Sequence, residues 1–318
     1  MQALVYNRYG TPDVLSMRDV PIPTPKDYEV QLKIHAASLN SWDWDKLTGK
    51  LTPGRKPSHP ILGADMAGIV TAIGSKVSQF NLGDAVFGDN SGGNWGGFAQ
   101  YACMPENMLV LKPSNMSFAQ AAAIPQAATL AIQALNDSGS IVAGQKILIN
   151  GAGGGVGTFA LQMAKASGAH VTCVDKAEKL AMLQKLGADV VIDYRNQDFT
   201  ANGQTYDMVL DVMANHSLSV LKNCLKPQGR YIIVGGATWL IMKCIALYPL
   251  IGRGKSKKLK LLWHRPNQTD LQRLKTLFDN GTFKPIIDTV YPLADAAEAF
   301  AKIGAGQVQG KLIISIDH

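Results

Sequence analysis

The sequence predicts an α/β protein in which a doubly wound parallel sheet is joined to a second, β-rich domain. Three observations predict it. Between residues 147 and 234, strand segments rich in Val and Ile alternate with amphipathic helical segments, the pattern of a parallel sheet covered on both faces. A glycine-rich turn, Gly151-Ala152-Gly153-Gly154-Gly155-Val156-Gly157, joins the first of those strands to the first of those helices. Before residue 113 the pattern is different, with short strand-like segments punctuated by Gly, Pro, Asn and Asp.

Taken in order, residues 2–113 read as a mostly antiparallel β unit, with ALVYN, VQLKIHAASL, AGIVTAIG, DAVFG, FAQYACM and MLVLK as strands and Pro21, Pro23 and Pro25 stiffening a connector. Ser117 can cap an alanine-rich helical stretch that runs to about Asn136 and is interrupted at Pro125. The alternation then predicts strands at 147–150, 170–175, 190–193, 206–212 and 231–234, and helices at 156–167, 178–186 and 218–225. Residues 240–260 are apolar and then basic. They read as a substrate-side loop leading to an edge strand at 258–263, in preference to an amphipathic membrane-surface element. A helix over 270–280, an extended segment over 285–291, a helix over 295–303 and a closing strand over 311–316 return the chain to the first domain.

Composition narrows the function classes. A chain of 318 residues with 47% hydrophobic and 17% charged residues forms a large core and is not disordered. The net charge of +7 suits phosphate-bearing ligands, although much of the surplus lies in residues 253–260. Four scattered cysteines, Cys103, Cys173, Cys224 and Cys244, contain no CxxC pair, so neither a disulfide framework nor a zinc lobe is expected and a reducing, cytoplasmic setting is. A strand follows Met1 so closely that no signal peptide is expected. The most apolar run, 239–251, is broken by Lys243 and Pro249 and is too short to span a bilayer.

The strand, glycine turn and helix start form a candidate dinucleotide cradle at Ala152, Gly154, Gly155, Val156 and Gly157. Glycine lets the backbone approach a pyrophosphate, and the first turn of a helix offers free N–H groups and partial positive charge. Asp175 ends the second strand, where an acidic side chain accepts hydrogen bonds from an adenosine ribose. Lys176 and Lys179 stand at the start of the following helix, where a cation can meet a 2′-phosphate. Gly235 and Gly236 lie at another predicted strand tip, where ligands of parallel sheets bind.

Several segments in order, Ala37-Ser38-Leu39-Asn40 with Asp43, Pro60-Ile61-Leu62-Gly63, Gly83-Asp84-Ala85-Val86, Gly96-Gly97-Phe98-Ala99-Gln100-Tyr101, the glycine turn, Leu186-Gly187-Ala188-Asp189, Val234-Gly235-Gly236 and Gly310-Lys311, make the whole chain resemble the medium-chain dehydrogenase/reductases, and among them the zinc-independent quinone oxidoreductases. The resemblance implies a GroES-like catalytic domain over 1–120 and 284–318 and a Rossmann domain over 121–283, with the active site in the cleft between them. Zinc-dependent members carry a ligand cysteine where this chain has Leu39-Asn40, and a His-Glu pair where it has Ala64-Asp65. No zinc is therefore expected. The implied reaction is hydride transfer from a nicotinamide to a quinone or an α,β-unsaturated carbonyl, with the protein positioning the partners and excluding water.

By the same resemblance, Asn40 is expected near the nicotinamide ribose and the substrate carbonyl. Thr129 and the backbone at Gly235 and Gly236 are expected to hold the nicotinamide, and Lys311 is a candidate cofactor contact. Trp42 and Trp44 either line the substrate pocket or pack. Lys179 and Tyr194 match residues of NADPH-using relatives, which favours NADPH although Asp175 leaves NADH open. Related enoyl-thioester reductases place a tyrosine proton donor where this chain has Leu51. A homodimer through the 258–263 strand is implied. Alternatives are an RNA-binding or structural role, as in ζ-crystallins, with 253–260 as the phosphate contact, and an NADH-dependent carbonyl or alcohol oxidoreductase.

Overall fold

The structure, a computed structural model, describes residues 1–50, 56–136, 139–237, 239–243 and 258–316. Leu51, Cys244 and residues 244–257 of the apolar-basic segment lie outside the described residues. The chain divides into two compact units, one of Met1–Thr129, Arg265–Gly281 and Pro285–His318, the other of Leu130–His264 and Thr282–Lys284. These bounds differ from the expected 120/121 and 283/284 divisions chiefly by giving residues 265–281 to the first unit. There Gln268 Nε2 donates to the carbonyl of Leu109 at 2.8 Å, tying the segment to a strand of that unit.

In the first unit, β1 (Gln2–Val5) and β2 (Ser16–Asp19) pair antiparallel. The main sheet uses β3 (Glu29–Leu39), β4 (Asp65–Ile73), β5 (Ala85–Asp89), β6 (Tyr101–Pro105) and β7 (Leu109–Leu111). A short helix, α1 (Ser41–Leu47), follows β3. The sequence reading missed it, because seven residues give no second apolar turn to detect. Next come α2 (Phe118–Ala123) and α3 (Pro125–Asn136). Ser117 caps α2 as expected, its Oγ accepting from Gln120 N at 3.1 Å while Gln120 Oε1 accepts from Ser117 N at 2.9 Å. Pro125 opens α3 instead of kinking one long helix, since a helix's first residue needs no N–H partner.

The second unit is built on β8 (Lys146–Asn150), α4 (Gly155–Ala166), β9 (His170–Asp175), α5 (Ala177–Lys185), β10 (Val190–Asp193), β11 (Tyr206–Asp211), α6 (Leu218–Asn223), β12 (Leu225–Ile233) and β13 (Lys258–Leu261). The six strands are all parallel in the order β10-β9-β8-β11-β12-β13. Order reverses between β8 and β11, and ligands of such sheets bind beside that switch, at the carboxyl ends of the strands. The interior strands β8, β9 and β11 are buried along nearly their whole length, as two covered faces require. β12 begins six residues before the predicted Tyr231, because Gln228 takes a left-handed φ of 63° and lets Pro227-Gln228-Gly229 ride inside the strand as an irregularity.

The chain then contributes α7 (Gln268–Asp279), β14 (Ile287–Pro292), α8 (Ala296–Gly304) and β15 (Lys311–Ser315). β15 pairs antiparallel with β3 and completes the first unit's main sheet, ordered β14-β15-β3-β4-β5-β7 with β6 also on β3. Its core gathers Leu32, Ile34, Met66, Phe98, Phe300 and Ile314. That of the second unit gathers Leu148, Val174, Val209, Tyr231 and Ile233. Cys103, Cys173 and Cys224 are buried thiols outside any disulfide. Among the described residues no helix is long and apolar enough to cross a membrane.

Candidate functional site

The glycine turn leaves β8 with Gly151 at φ +79°, a conformation that L side chains rarely adopt. Its path is held from inside: the N–H groups of Gly151 and Ala152 both donate to Val174 O, at 3.0 and 3.2 Å. Gly157 sits so close to the turn that a Cβ there would stand 2.5 Å from Ala152 Cα, Ala152 O and Gly151 O. Gly154 is different. It is the N-cap of α4, and a Cβ on it would meet only Gly151 O, at 3.6 Å. Gly154, Gly155 and Val156 are partly exposed while Ala152 and Gly157 are buried. Gly157 therefore serves packing, and the 154–156 backbone forms an open lip whose first-turn amides have no acceptor within the helix. The residues present fit a dinucleotide pyrophosphate.

Asp175 lies beside this lip with its carboxylate already engaged. Oδ2 accepts from Gly153 N at 2.7 Å, Oδ1 accepts from Lys176 N at 2.9 Å, and Lys179 Nζ stands 3.5 Å from Oδ1. Lys179 is on the first turn of α5 and is itself buried. Tyr194 follows β10, its N–H donating to Asp175 O at 3.2 Å and its ring exposed. The next residue, Arg195, bonds Glu178 at 3.2 Å and adds a cation that the sequence reading did not single out. Gly235 and Gly236 follow β12. Gly236 has φ +144° and packs against Ala214, whose N–H donates to Gly235 O at 3.1 Å. Between these tips, Asp211 accepts from Asn150 Nδ2 at 2.7 Å and from the Tyr231 hydroxyl, which fixes the ends of β8 and β11.

In the first unit, Asn40 is the N-cap of α1. Its Nδ2 donates to Asp65 Oδ2 at 2.9 Å, and its Oδ1 accepts from Lys311 Nζ at 2.5 Å. Asp65, at the start of β4, also accepts from Ser38 Oγ at 3.0 Å and from the backbone N–H of Gln126 at 3.0 Å. Asp43 accepts from Asn40 N and Gly63 N, both at 2.8 Å. Burial pushes the Asp43 carboxyl up to about 7 against the pull of those two N–H bonds. Burial likewise raises Asp65 to about 6, with the Lys311 ammonium acting in the opposite sense. Lys311 is lowered by burial and held up by Asp65 and Asp43.

Gln126, 3% exposed, leaves its Nε2 without a partner while its backbone holds Asp65. Thr129 is buried on α3. Trp44, partly buried, packs its ring over Gly304 of α8, where a Cβ would meet it at 2.3 Å, and rests against the core. Trp42 is exposed. The structure thus brings Asn40 and Lys311 together in one unit, and the turn, Asp175, Lys176, Lys179 and Tyr194 together in the other. Asp43, Asp65 and Gln126 were not predicted as site residues. An aspartate three residues past Asn40 was the available signal for Asp43, the match of Ala64-Asp65 to the His-Glu pair of zinc-dependent relatives was that for Asp65, and nothing local marked Gln126.

Residues 26–114 match the family described as alcohol dehydrogenase GroES-like domain, and residues 186–314 that described as zinc-binding dehydrogenase. The chain is 35% identical to the chloroplast envelope quinone oxidoreductase homolog of Arabidopsis thaliana, over 99% of its own length and 98% of the relative's. It belongs to the quinone oxidoreductase family of the medium-chain dehydrogenase/reductases. Family members of close likeness include the chloroplastic NADPH-dependent alkenal/one oxidoreductase of the same plant, 29% identical over 99% of this chain and 79% of that protein. The solved quinone oxidoreductase of Coxiella burnetii superposes with a TM-score of 0.88 at 30% identity, covering 100% of this chain and 99% of that one. Among the described residues, no group of three or more His, Cys, Asp or Glu side chains could hold a metal ion.

Proposed function

We propose that the protein is an NADPH-dependent reductase of quinones or α,β-unsaturated carbonyls that works without zinc. The observation that carries this reading is the Asn40–Asp65–Lys311 cluster. Asn40 and Asp65 stand where the resemblance places the metal-holding segments of zinc-dependent relatives, both are committed to each other and to Lys311, and an amide, one carboxylate and an ammonium do not fit a zinc ion, which takes about four Cys, His or carboxylate ligands. NADPH, when bound, supplies the hydride. The 154–156 lip would hold the pyrophosphate through backbone N–H groups, and the backbone at Gly235 and Gly236, at the carboxyl end of β12, would meet the nicotinamide end. Asn40 donates a hydrogen bond to the substrate oxygen as negative charge gathers there.

The preference for NADPH is supported by Lys179 and by the state of Asp175. A carboxylate that already accepts two backbone N–H bonds and faces an ammonium has little capacity left for two ribose hydroxyls. Lys176, Lys179 and Arg195 set three cations around that position. Turnover of a panel of quinones, alkenals and enones with NADPH and with NADH tests the reading. It predicts NADPH-selective reduction of some members, and a preference for NADH would overturn the cofactor assignment. β13 ends the strand order with an outer edge, which supports edge-to-edge pairing of two copies in the cytoplasm. A monomer on size-exclusion chromatography would rule that out.

A further inference from the structure

Lys311, a candidate cofactor contact or simply the start of the last strand in the sequence, begins β15. It is 2% exposed, and its Nζ donates to Asn40 Oδ1 at 2.5 Å and to Leu39 O at 3.4 Å, with Asp65 Oδ2 at 3.6 Å. The Nδ2 of Asn40 donates to that same Asp65 oxygen at 2.9 Å. An amide has an acceptor end and a donor end, and here each end faces a group that tolerates only that end. An ammonium has no lone pair to accept with, and a carboxylate has no proton to give. Flipping the Asn40 amide would set N–H against N–H and oxygen against oxygen, two repulsive contacts inside a buried site where they are poorly screened. One Nδ2 hydrogen is used by Asp65, and no second acceptor meets Nδ2 among the described residues.

We propose that Lys311 is a positioning residue that locks the flip of the Asn40 amide, so that its spare Nδ2 hydrogen always faces the carbonyl oxygen of a bound quinone or enone. The inference rests on the reductase reading above. In that reaction bound NADPH would give up a hydride and leave as NADP+, the hydride would form the new C–H bond at the electron-poor carbon, and the displaced π electron pair would gather on the carbonyl oxygen. Asn40 donates a hydrogen bond to this oxygen and keeps its proton; a proton from water then neutralises the substrate anion. With the amide flipped, Oδ1 would face the gathering charge and oppose it.

Three variants test this. Lys311→Met frees the amide to flip, and kcat is expected to fall about tenfold or more while the dissociation constant for NADPH, read by tryptophan fluorescence, stays within about threefold. Lys311→Arg, which keeps an obligate donor, is expected to recover part of kcat. The double exchange N40D/D65N preserves volume, net charge and a Lys311 hydrogen bond but leaves no N–H at position 40. It is expected to unfold in urea at nearly the wild-type midpoint, to bind NADPH normally, and to lose kcat as Lys311→Met does. NADPH affinity that collapses in Lys311→Met would make Lys311 a cofactor ligand after all. A double exchange that folds and retains wild-type kcat would overturn the role of the Asn40 hydrogen. Should the unmutated protein reduce no quinone or enone, the reductase reading falls and this proposal with it; turnover that none of the variants changes sinks the proposal alone.

Discussion

Gly154 and Gly157 stand three residues apart in one turn, and the structure predicts opposite consequences for the same substitution. In Gly157→Ala the new methyl would lie 2.5 Å from three backbone atoms, against an ordinary contact of at least 3.4 Å, so the mismatch is 3.4 − 2.5 = 0.9 Å. All three neighbours are backbone, and no side chain can swing away. Helix α4 must lift off the turn, at an overpacking cost of roughly 1–3 kcal/mol, of which the better helix propensity of alanine returns about 1 kcal/mol. The expected result is a net loss of up to about 2 kcal/mol in urea unfolding followed by circular dichroism, with weaker cofactor binding as a consequence. In Gly154→Ala the methyl meets only Gly151 O at 3.6 Å, and φ −90° is open to any L residue. Stability should change by less than about 1 kcal/mol, the range of an N-cap exchange. The methyl nevertheless stands on the open lip, and NADPH affinity by calorimetry should fall about tenfold or more, equivalent to about 1.4 kcal/mol. Wild-type affinity in Gly154→Ala would refute the lip as the phosphate cradle. A gain in stability in Gly157→Ala would refute the packing argument.

Other perturbations separate the roles of single side chains. Lys179→Ala removes a cation and releases Asp175 at once, so the ratio of kcat/KM for NADPH over NADH should drop by about tenfold or more, the scale of one charged hydrogen bond; an unchanged ratio would remove Lys179 from cofactor choice. Gln126→Leu replaces a buried amide whose Nε2 has no partner with an apolar side chain of similar volume, and an unmet donor costs roughly 1–3 kcal/mol. Stability should therefore rise while kcat/KM falls, and a variant less stable than wild type would count against an unmet donor. Asp43 has its carboxyl raised to about 7 in the folded protein from 3.8, so its proton is bound more tightly by the folded chain. That contribution to stability is present below about pH 3.8 and is lost as pH rises toward about 7. The margin by which wild type exceeds Asp43→Asn in urea unfolding should therefore shrink between pH 5 and pH 8; a growing margin would show that the carboxyl is not raised.

The parallel sheet was legible because each strand carries its own signal. β8, β9 and β11 are apolar runs bounded by turn residues, and two covered faces demand such runs. The glycine turn was legible for the same reason, since its geometry depends on residues adjacent in sequence. What could not be read were relations between residues far apart. That Lys311 bonds Asn40, 271 positions away, follows from β15 pairing with β3, and nothing in Gly310-Lys311 distinguishes a cofactor contact from a buried partner of an asparagine. The same holds for Asp65 and Gln126, which meet across 61 positions. Helix α1 escaped because its only fully buried side chains are Asp43 and Leu47, and an aspartate in the core reads from the sequence as surface.

Buried aspartate answers a need that these glycine turns create. A turn tight enough to require glycine leaves N–H groups that neither helix nor strand can satisfy, and an unpaired buried N–H is expensive. Asp43 accepts from Gly63 N, which has φ +89°, and Asp175 accepts from Gly153 N. Each carboxylate is thereby oriented by backbone, and its remaining oxygen capacity is directed at something else: the Asn40 N–H in one unit, the Lys179 ammonium and the Lys176 N–H in the other. The consequence for Asp175 is specific. On the proposed reading, an aspartate free at the end of a second strand would favour NADH, and Asp175, bound into its own glycine turn and paired with Lys179, would not. Shortening the lysine without removing its charge should therefore be gentler than deleting the charge. Lys179→Ala ought to gain activity with NADH as it loses activity with NADPH, and a variant that loses both equally would show that Asp175 serves the turn alone.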